Sequence, residues 1–448
     1  GRDDVLRLLF LALLLLQGCS ASSVFVPYPD QASAWVQPLS AGQPGQGAVK
    51  LEPLTTREDG LLYLQELARV QQLDNQLDAS RATFADVFAA YEQQDAAATV
   101  QASALAAGTA SLMTNDNALP YEGYAYERIM AHAYQALNYL GSGDVEGAQV
   151  ELRRAALEQR VAQQRNEKRI ARAEEKASEQ NVDPGQFESQ FAGLNAAAAE
   201  VRSAITNAWT FYLSGAVWEA TGEYNSALVD YKQALQIQPD SPLLKAAATR
   251  AAAKVDGRRN RDMGTVVILH EEGLVPPKRE ISFPVPTIHG WFAVAFPTYQ
   301  PQDMRPPEPV HVRAGDSEAA DTEVLAQLNA MAARALKDRI PAMLVRQTLR
   351  ATAKYQAQKT ANDNFGLAGA LFTQIYNLVS ERADLRSWLS LPAYGMAAEV
   401  TLPAGEQSVQ LSGPGGGATL TVPVRGGGVT IVRVVTAGSF MHTDVYAF

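Results

Sequence analysis

A single cysteine, five scattered histidines and a shortage of positive charge exclude several kinds of protein at the outset. Cys19 is the only Cys, so no intramolecular disulfide framework exists. With so few His beside it, little is left for a zinc site, and no cofactor motif is found. Lys and Arg number 38 against 48 Asp and Glu, giving a formal charge of -10 and a pI near 5.2. That balance argues against a nucleic-acid coat, which needs concentrated positive charge. Beyond the amino-terminal segment, no apolar run approaches a membrane span. Phe365 to Val379 is too short and carries Gln374 and Asn377. No G-x-S-x-G nucleophile motif is present, and the Gly-rich stretches Gly413 to Gly417 and Gly426 to Gly428 lack the Lys and Ser or Thr of a phosphate loop. What remains, 47% hydrophobic and 19% charged residues, is enough to build real cores. At roughly 150 residues per domain, 448 residues suggest about three units.

Arg2 and Arg7 precede the apolar run Leu8 to Leu16, which is too short for a bilayer's ~30 Å core but suits a signal peptide. The run ends in Leu16-Gln17-Gly18-Cys19, which resembles the lipobox of bacterial lipoproteins, with Gln17 departing mildly from the usual small residue. An ordinary secretory signal with a chance Cys nearby is the blander alternative. The resemblance implies cleavage after residue 18, lipidation of Cys19 and attachment by two or three acyl chains. Ser20, where an Asp would signal inner-membrane retention, implies an outer-membrane, periplasm-facing address. Residues 19–56, with Pro27, Pro29, Pro38, Pro44 and Pro53, read as an extended tether.

From Leu61 to about Val255 the apolar spacing is helical. Its clearest unit, Ala208 to Pro242, resembles the tetratricopeptide repeat, with Gly215, Trp218, Gly222, Tyr224, Ala227, Tyr231, Ala234 and Pro239 at that family's small and aromatic positions. Gly215 and Ala227 let two antiparallel helices approach, Trp218 and Tyr231 fill the groove, and Gly222 opens the turn. A weaker copy lies 79 residues earlier, where Tyr139, Gly143, Ala148, Leu152 and Ala155 correspond to Trp218, Gly222, Ala227, Tyr231 and Ala234. A degenerate copy runs from Leu61 to about Gln94. Between the hairpins, Leu157 to Lys176 holds Arg160, Arg165, Lys168, Arg169, Arg172 and Lys176. The preferred reading is a solvated helix carrying i,i+3 pairs such as Arg172 with Glu175 and Lys176 with Glu179; the other is a contact surface for an anionic polymer.

After Asp256-Gly257 the pattern changes to strands: Thr265 to His270, Lys278 to Pro284, Gly290 to Phe296 and Val310 to Val312. A second group follows: Ala397 to Leu402, Ser408 to Leu411, Ala418 to Val424, Gly428 to Val435 and Phe440 to Tyr446. Helices at Asp321 to Lys337, Ile340 to Lys359 and Phe365 to Ala383 interrupt them, with Pro341 at a helix start. The closing hairpins are similar in pattern to the PEGA-type modules of envelope proteins. The fold class expected is α+β: a signal peptide over 1–18, the tether over 19–56, a TPR-like α-solenoid over 57–256, and a small β-sandwich over 257–448 with a helical insertion at about 318–384.

The lipobox, the repeats, the segment His270-Glu271-Glu272-Gly273-Leu274-Val275-Pro276-Pro277-Lys278 and the segment Ala383 to Pro392 together resemble a family of tetratricopeptide-containing lipoproteins of Gram-negative envelopes. That resemblance implies envelope work and assigns no reaction. Candidate recognition residues are Asp384, Arg386 and Trp388, an Arg fork beside an aromatic platform, and His270 with Glu271. The plainer alternatives are a structural pair fixing the last helix and a strand-end cluster meeting Lys278 or Arg279. The function expected is a non-enzymatic, outer-membrane-anchored scaffold without cofactors. Its repeat groove, presenting Tyr212 and Tyr139, binds a protein partner, and its sandwich docks to a second protein or to peptidoglycan. The alternatives are a subunit of a homo-oligomeric envelope machine and a hydrolase centred on His270, Glu271, Asp384 and Arg386.

Overall fold

The computed structural model describes residues 23, 26–57, 59–100, 115–287, 290–315, 318–380 and 382–448; the signal segment and Cys19 lie outside them. The amino-terminal half is a series of antiparallel helical pairs: α1 (Tyr28–Ser40) with α2 (Pro44–Leu51), α3 (Gly60–Leu73) with α4 (Leu77–Val100), α5 (Ala125–Gly141) with α6 (Val145–Glu179), and α8 (Ala208–Ala220) with α9 (Tyr224–Ile237). A short α7 (Ala192–Ala198) precedes the last pair, and α10 (Pro242–Val255) follows it.

One turn recurs in all four pairs. The first helix ends at a residue with positive φ two places past its last helical residue: Gly42 (81°), Asn75 (60°), Gly143 (78°) and Gly222 (83°). In each, the amide of that residue and of the next donate back to carbonyls of the last turn, as Gly222 does to Glu219 and Glu223 to Trp218. This is the Schellman arrangement, which satisfies two orphaned carbonyls and needs a left-handed residue. Side-chain oxygens open two of the helices, Asp144 accepting from the amide of Gly147 at the start of α6 and Ser241 from that of Leu244 at the start of α10.

The expected tether is therefore corrected. Residues 28–51 form a helical pair whose Tyr28 and Trp35 are fully buried and stack edge to face. The proline-rich composition misleads because Pro29 and Pro44 stand in the first turns of α1 and α2, where a missing N–H costs nothing. In the α8–α9 pair, a Cβ on Gly215 would lie 2.5 Å from the Tyr231 ring, so only glycine permits that approach. Ala227, Tyr231, Ala234, Ala148, Leu152 and Ala155 are buried as the repeat spacing requires, whereas Pro239 is exposed and Tyr139 and Tyr224 are half-buried.

The carboxy-terminal half holds β1 (Met263–Glu272), β2 (Arg279–Thr287), β3 (Gly290–Thr298), β4 (His311–Ala314), β5 (Glu318–Asp321), β6 (Glu323–Gln327), a long helical segment α11 (Leu328–Ser380), and β7 (Tyr394–Pro403), β8 (Gly405–Gly413), β9 (Gly416–Val424), β10 (Val429–Ala437) and β11 (Phe440–Tyr446). One sheet runs in the order β11-β10-β1-β7-β6, with β1 parallel to β10 and the other neighbours antiparallel. A second, β5-β4-β8-β9, packs on it to make the sandwich, and β2 and β3 form a separate hairpin. Alternation along β1 decides the layers. Val266 and Ile268 face the second sheet, while Val267 and Leu269 join the helices in one continuous core with Ile431, Ala397, Tyr134 and Trp209. The sandwich and the helices thus share a core through opposite faces of one sheet.

The insertion differs from expectation at its start and within its helical segment. Residues 318–327 form β5 and β6, edge strands that the helical spacing concealed, so the helix starts only at Leu328. Pro341 lies inside α11, and the segment breaks at a kink at Gly366, whose φ of 57° and ψ of -129° are open to glycine. The Gly-rich loops are tight turns: Gly413 pairs with Gly416 in the β8–β9 hairpin, and a Cβ on Gly426 would overlap the Arg261 carbonyl.

Because Trp35 is 1% exposed, Trp35→Ala is expected to lower unfolding free energy by about 3–5 kcal/mol in urea denaturation. A change within about 0.5 kcal/mol, the size typical of surface substitutions, would return residues 28–51 to the status of a tether.

Candidate functional site

The segment after α11, residues 384–391, threads between the helical pairs and the sheet, and the sequence-predicted residues meet there. Arg386 is 2% exposed. Its Nε and Nη2 donate to the two Asp384 oxygens, each at 2.9 Å. Its Nη1 reaches Asp59 Oδ1 at 2.7 Å, and Nη2 also donates to the Asp116 carbonyl. Burial alone would raise the Asp384 carboxyl, yet Arg386 holds it below the usual range. Trp388 is fully buried between Phe84 and Tyr134, ring centroids 6.4 and 6.0 Å away, and its Nε1 donates to Ser390 Oγ. These residues fill the inner face of the helical pairs; they do not form an open recognition pocket.

Two carboxylates that sequence reasoning missed grip this strap by its backbone. Glu66 of α3 accepts from the amides of Leu389 (2.6 Å) and Ser390 (3.2 Å), and Glu127 of α5 from that of Trp388 (2.8 Å). Both are fully buried, and Tyr28 and Tyr121 donate their hydroxyls to them. Burial pushes the Glu66 carboxyl up to about 7, against the pull of these donors, and raises Glu127 likewise. The signal available in sequence was weak: a Glu in the middle of an apolar helix face reads as a solvent-facing residue.

His270 and Glu271 lie on opposite faces of β1. His270 is fully buried, its ring nitrogens bonded to the hydroxyls of Thr322 (2.9 Å) and Thr436 (2.8 Å), and burial pushes its pKa down to about 3, so it is neutral. Glu271 faces the helices and is clamped between Arg69 of α3 and Arg433 of β10, each at 2.7 Å. Burial would raise its carboxyl, but Arg433 and Arg69 hold it down to about 2. Both guanidiniums also lie over the Tyr134 ring, at 4.4 and 5.6 Å. The expected pairing with Lys278 or Arg279 does not form: Lys278 donates to Tyr124 and to the Arg386 carbonyl, and Arg279 pairs with Asp303. Neither His270 nor Glu271 bonds Asp384 or Arg386.

A second lock joins the last helical pair to β7. Arg250 bridges Glu219 and Glu399, Lys254 meets Glu219, and Tyr231 donates to Glu219. Tyr212, expected to line an open groove, is fully buried and donates to Glu399 at 2.6 Å. Trp209 donates to the Met396 carbonyl and lies so close to β7 that a Cβ on Gly395 would be 2.7 Å from its ring. The concave face of the repeats is therefore spent on the protein's own sheet and strap.

No known family model matches the chain, and no curated protein matches it. Among solved structures it is similar to a tetratricopeptide repeat protein of Parabacteroides merdae, with 13% identity, 50% of this chain and 98% of that one covered, and a TM-score of 0.14. A superposition that loose carries no argument here, and the repeat character rests on the helical pairs themselves.

Glu271→Gln leaves two buried guanidiniums without a full counter-charge, and a loss of about 3–5 kcal/mol is expected in chemical denaturation. A loss under about 1 kcal/mol would show that the clamp is not needed. The pH dependence has a defined sign. Glu271 is lowered from 4.5 to about 2, so its contribution is present above 4.5 and disappears as pH falls toward 2. Glu66 is raised from 4.5 to about 7, so its contribution is present below 4.5 and is lost as pH rises through 7. Glu66→Gln should flatten the stability curve between those values, and an unchanged slope there would contradict the assignment.

Proposed function

We propose that this chain is a non-enzymatic lipoprotein of the Gram-negative envelope, anchored through Cys19 to the outer membrane and facing the periplasm, where it serves as a rigid scaffold for protein partners. Peptidoglycan is the other expected contact. The anchor reading rests on the lipobox-like residues Leu16, Gln17, Gly18 and Cys19 and on Ser20. The scaffold reading rests on the helical pairs, with one change from the sequence expectation: their inner groove is filled, so the partner has to meet another surface.

The observation that carries this reading is a body whose polar candidates are internally paired while two projections end in exposed apolar side chains. The β2–β3 hairpin packs on α11 and carries Trp291 near its tip, 71% exposed. At the break of α11, Phe365 is 65% and Leu367 91% exposed. Among the described residues, Trp291 and Phe365 are the Trp and Phe side chains left exposed. Exposed aromatic residues at the ends of projections suit a protein contact, where such residues contribute disproportionately. The competing hydrolase reading finds no convergent site, since its residues are paired in three separate places: His270 with Thr322 and Thr436, Glu271 with Arg69 and Arg433, and Asp384 with Arg386.

The reading is tested by crosslinking in intact envelopes, with the wild-type chain, Cys19→Ala and the double variant Trp291→Ser with Phe365→Ser. A protein partner captured by the wild type and lost from the double variant is expected, with Cys19→Ala released from the membrane fraction. Equal capture by the double variant, or recovery of the chain alone, would overturn the contact surface. Retention of Cys19→Ala in the membrane fraction would overturn the anchor.

A further inference from the structure

α6 has 35 residues, whereas its partner α5 has 17, so its second half runs past the hairpin by about 27 Å at 1.5 Å per residue. Ala162, Ala173 and Ala177 mark the side of that overhang turned toward the protein, and Ala162 packs with Ile129, Ala204 and Ile205 against Ala335 of α11. Small residues there seat the helix closely and leave its long cations to flank the seam. They border a cleft of about 750 Å³ between α6, the end of α4, the start of α5 and α11.

Seven of the side chains lining this cleft are Lys or Arg, against two carboxylates, Asp95 and Glu122, in a chain whose overall charge is -10. α6 lends Arg165, Lys168, Arg169, Arg172 and Lys176; Arg128 comes from α5 and Arg339 from α11. Asp95 is bonded to Arg128 at 3.0 Å and lies 3.8 Å from Arg165, which also lies 3.6 Å from Glu158 just outside the lining, and Glu122 lies 3.6 Å from Arg169. Arg339 is held over the Tyr124 ring at 3.8 Å, with the Lys278 ammonium 4.7 Å from that same ring. The seven cations thus stand on three walls, and the three carboxylates Asp95, Glu122 and Glu158 cannot neutralise them. The crowding is felt most at Arg169, whose pKa is pulled down to about 10, first by Arg339, then by burial, Arg165 and Arg128, against the opposing Glu122.

We propose that this cleft is a binding site for a compact polyanion bearing phosphate groups. A concave site with walls of one charge sign concentrates the field and draws in the opposite charge. Arg forks pair bidentately with phosphate oxygens, and the volume falls within the range of about 300–1,000 Å³ usual for small-ligand pockets. The sequence alone favoured a solvated helix with pairs along its own face, because spacing does not show that α5 and α11 bring Arg128 and Arg339 to the same place. The proposal does not depend on the membrane anchor or on the partner contact above.

The test is calorimetric titration of the detergent-solubilised full chain with sodium tripolyphosphate at low salt, with Arg169→Gln, Arg339→Gln and Arg258→Gln as variants. Arg258 is an exposed cation outside the cleft, paired with Asp256, so its loss changes net charge equally. Thermal denaturation confirms that each variant is folded. Saturable binding is expected, weakened about tenfold or more by either cleft substitution and unchanged in Arg258→Gln. A second arm measures capture on phosphatidylglycerol vesicles in excess of phosphatidylcholine vesicles. Capture that tripolyphosphate competes away and that Arg169→Gln abolishes would identify a lipid headgroup as the source of the phosphate, and its absence beside tripolyphosphate binding would identify a soluble ligand. No saturable tripolyphosphate binding, or equal weakening by Arg258→Gln, overturns the proposal.

Discussion

The structure depends on burying titratable groups where helices meet the sheet, and on giving each buried carboxyl its own donors. A carboxylate taken from water without donors is prohibitively costly, so Glu66, Glu127 and Glu271 each require particular neighbours in particular places. For Glu66 and Glu127 the neighbours are backbone amides of the strap at Trp388, Leu389 and Ser390. For Glu271 they are Arg69 from one half of the chain and Arg433 from the other. Apolar packing tolerates sliding, whereas such clamps do not. They set the register between the repeats and the sandwich, and this is why the two halves form one body with a shared core.

That constraint explains what happened to the repeat groove. A solenoid of helical pairs ordinarily leaves a concave face for a partner. Here Trp388, Tyr212 and Trp209 make that face an internal seam, satisfied by β7 and the strap. Surface left for other molecules lies at the edges: the projecting tips with Trp291, Phe365 and Leu367, and the overhang of α6 with its cations. Within the acidic chain, some of the positive charge is placed inside as clamps, and seven cations border one cleft.

Much of the fold was legible because it is written in short-range patterns. The period of the apolar residues marked the helices of the α3–α4, α5–α6 and α8–α9 pairs, and Gly143 and Gly222 marked two of the turns by their need for positive φ. Alternation and Gly-Pro punctuation located nine of the eleven strands among the described residues, missing β5 and β6, which the helical spacing beginning at Asp321 concealed. Asn75 and Gly42 occupy equivalent turns, but Asn is a less telling mark than Gly, and the prolines around Gly42 resembled a linker. Of the candidate site, Asp384 and Arg386 were legible as a pair because they are two residues apart. Asp59, Glu66, Arg69 and Arg433 were not, since a buried charge looks like a surface one until its partner, hundreds of residues away, is placed.

Sequence by itself determined the helical pairs of the repeats, most of the strands, and the turns opened by Gly143 and Gly222. Tertiary structure alone decided that His270 is a neutral core residue, that Trp388 plugs the repeats, and that Arg128, Arg169 and Arg339 share a cleft. The physical reason is range. Backbone propensity and capping act over a few residues, whereas desolvation and charge pairing depend on everything within several ångströms, from whatever part of the chain it comes.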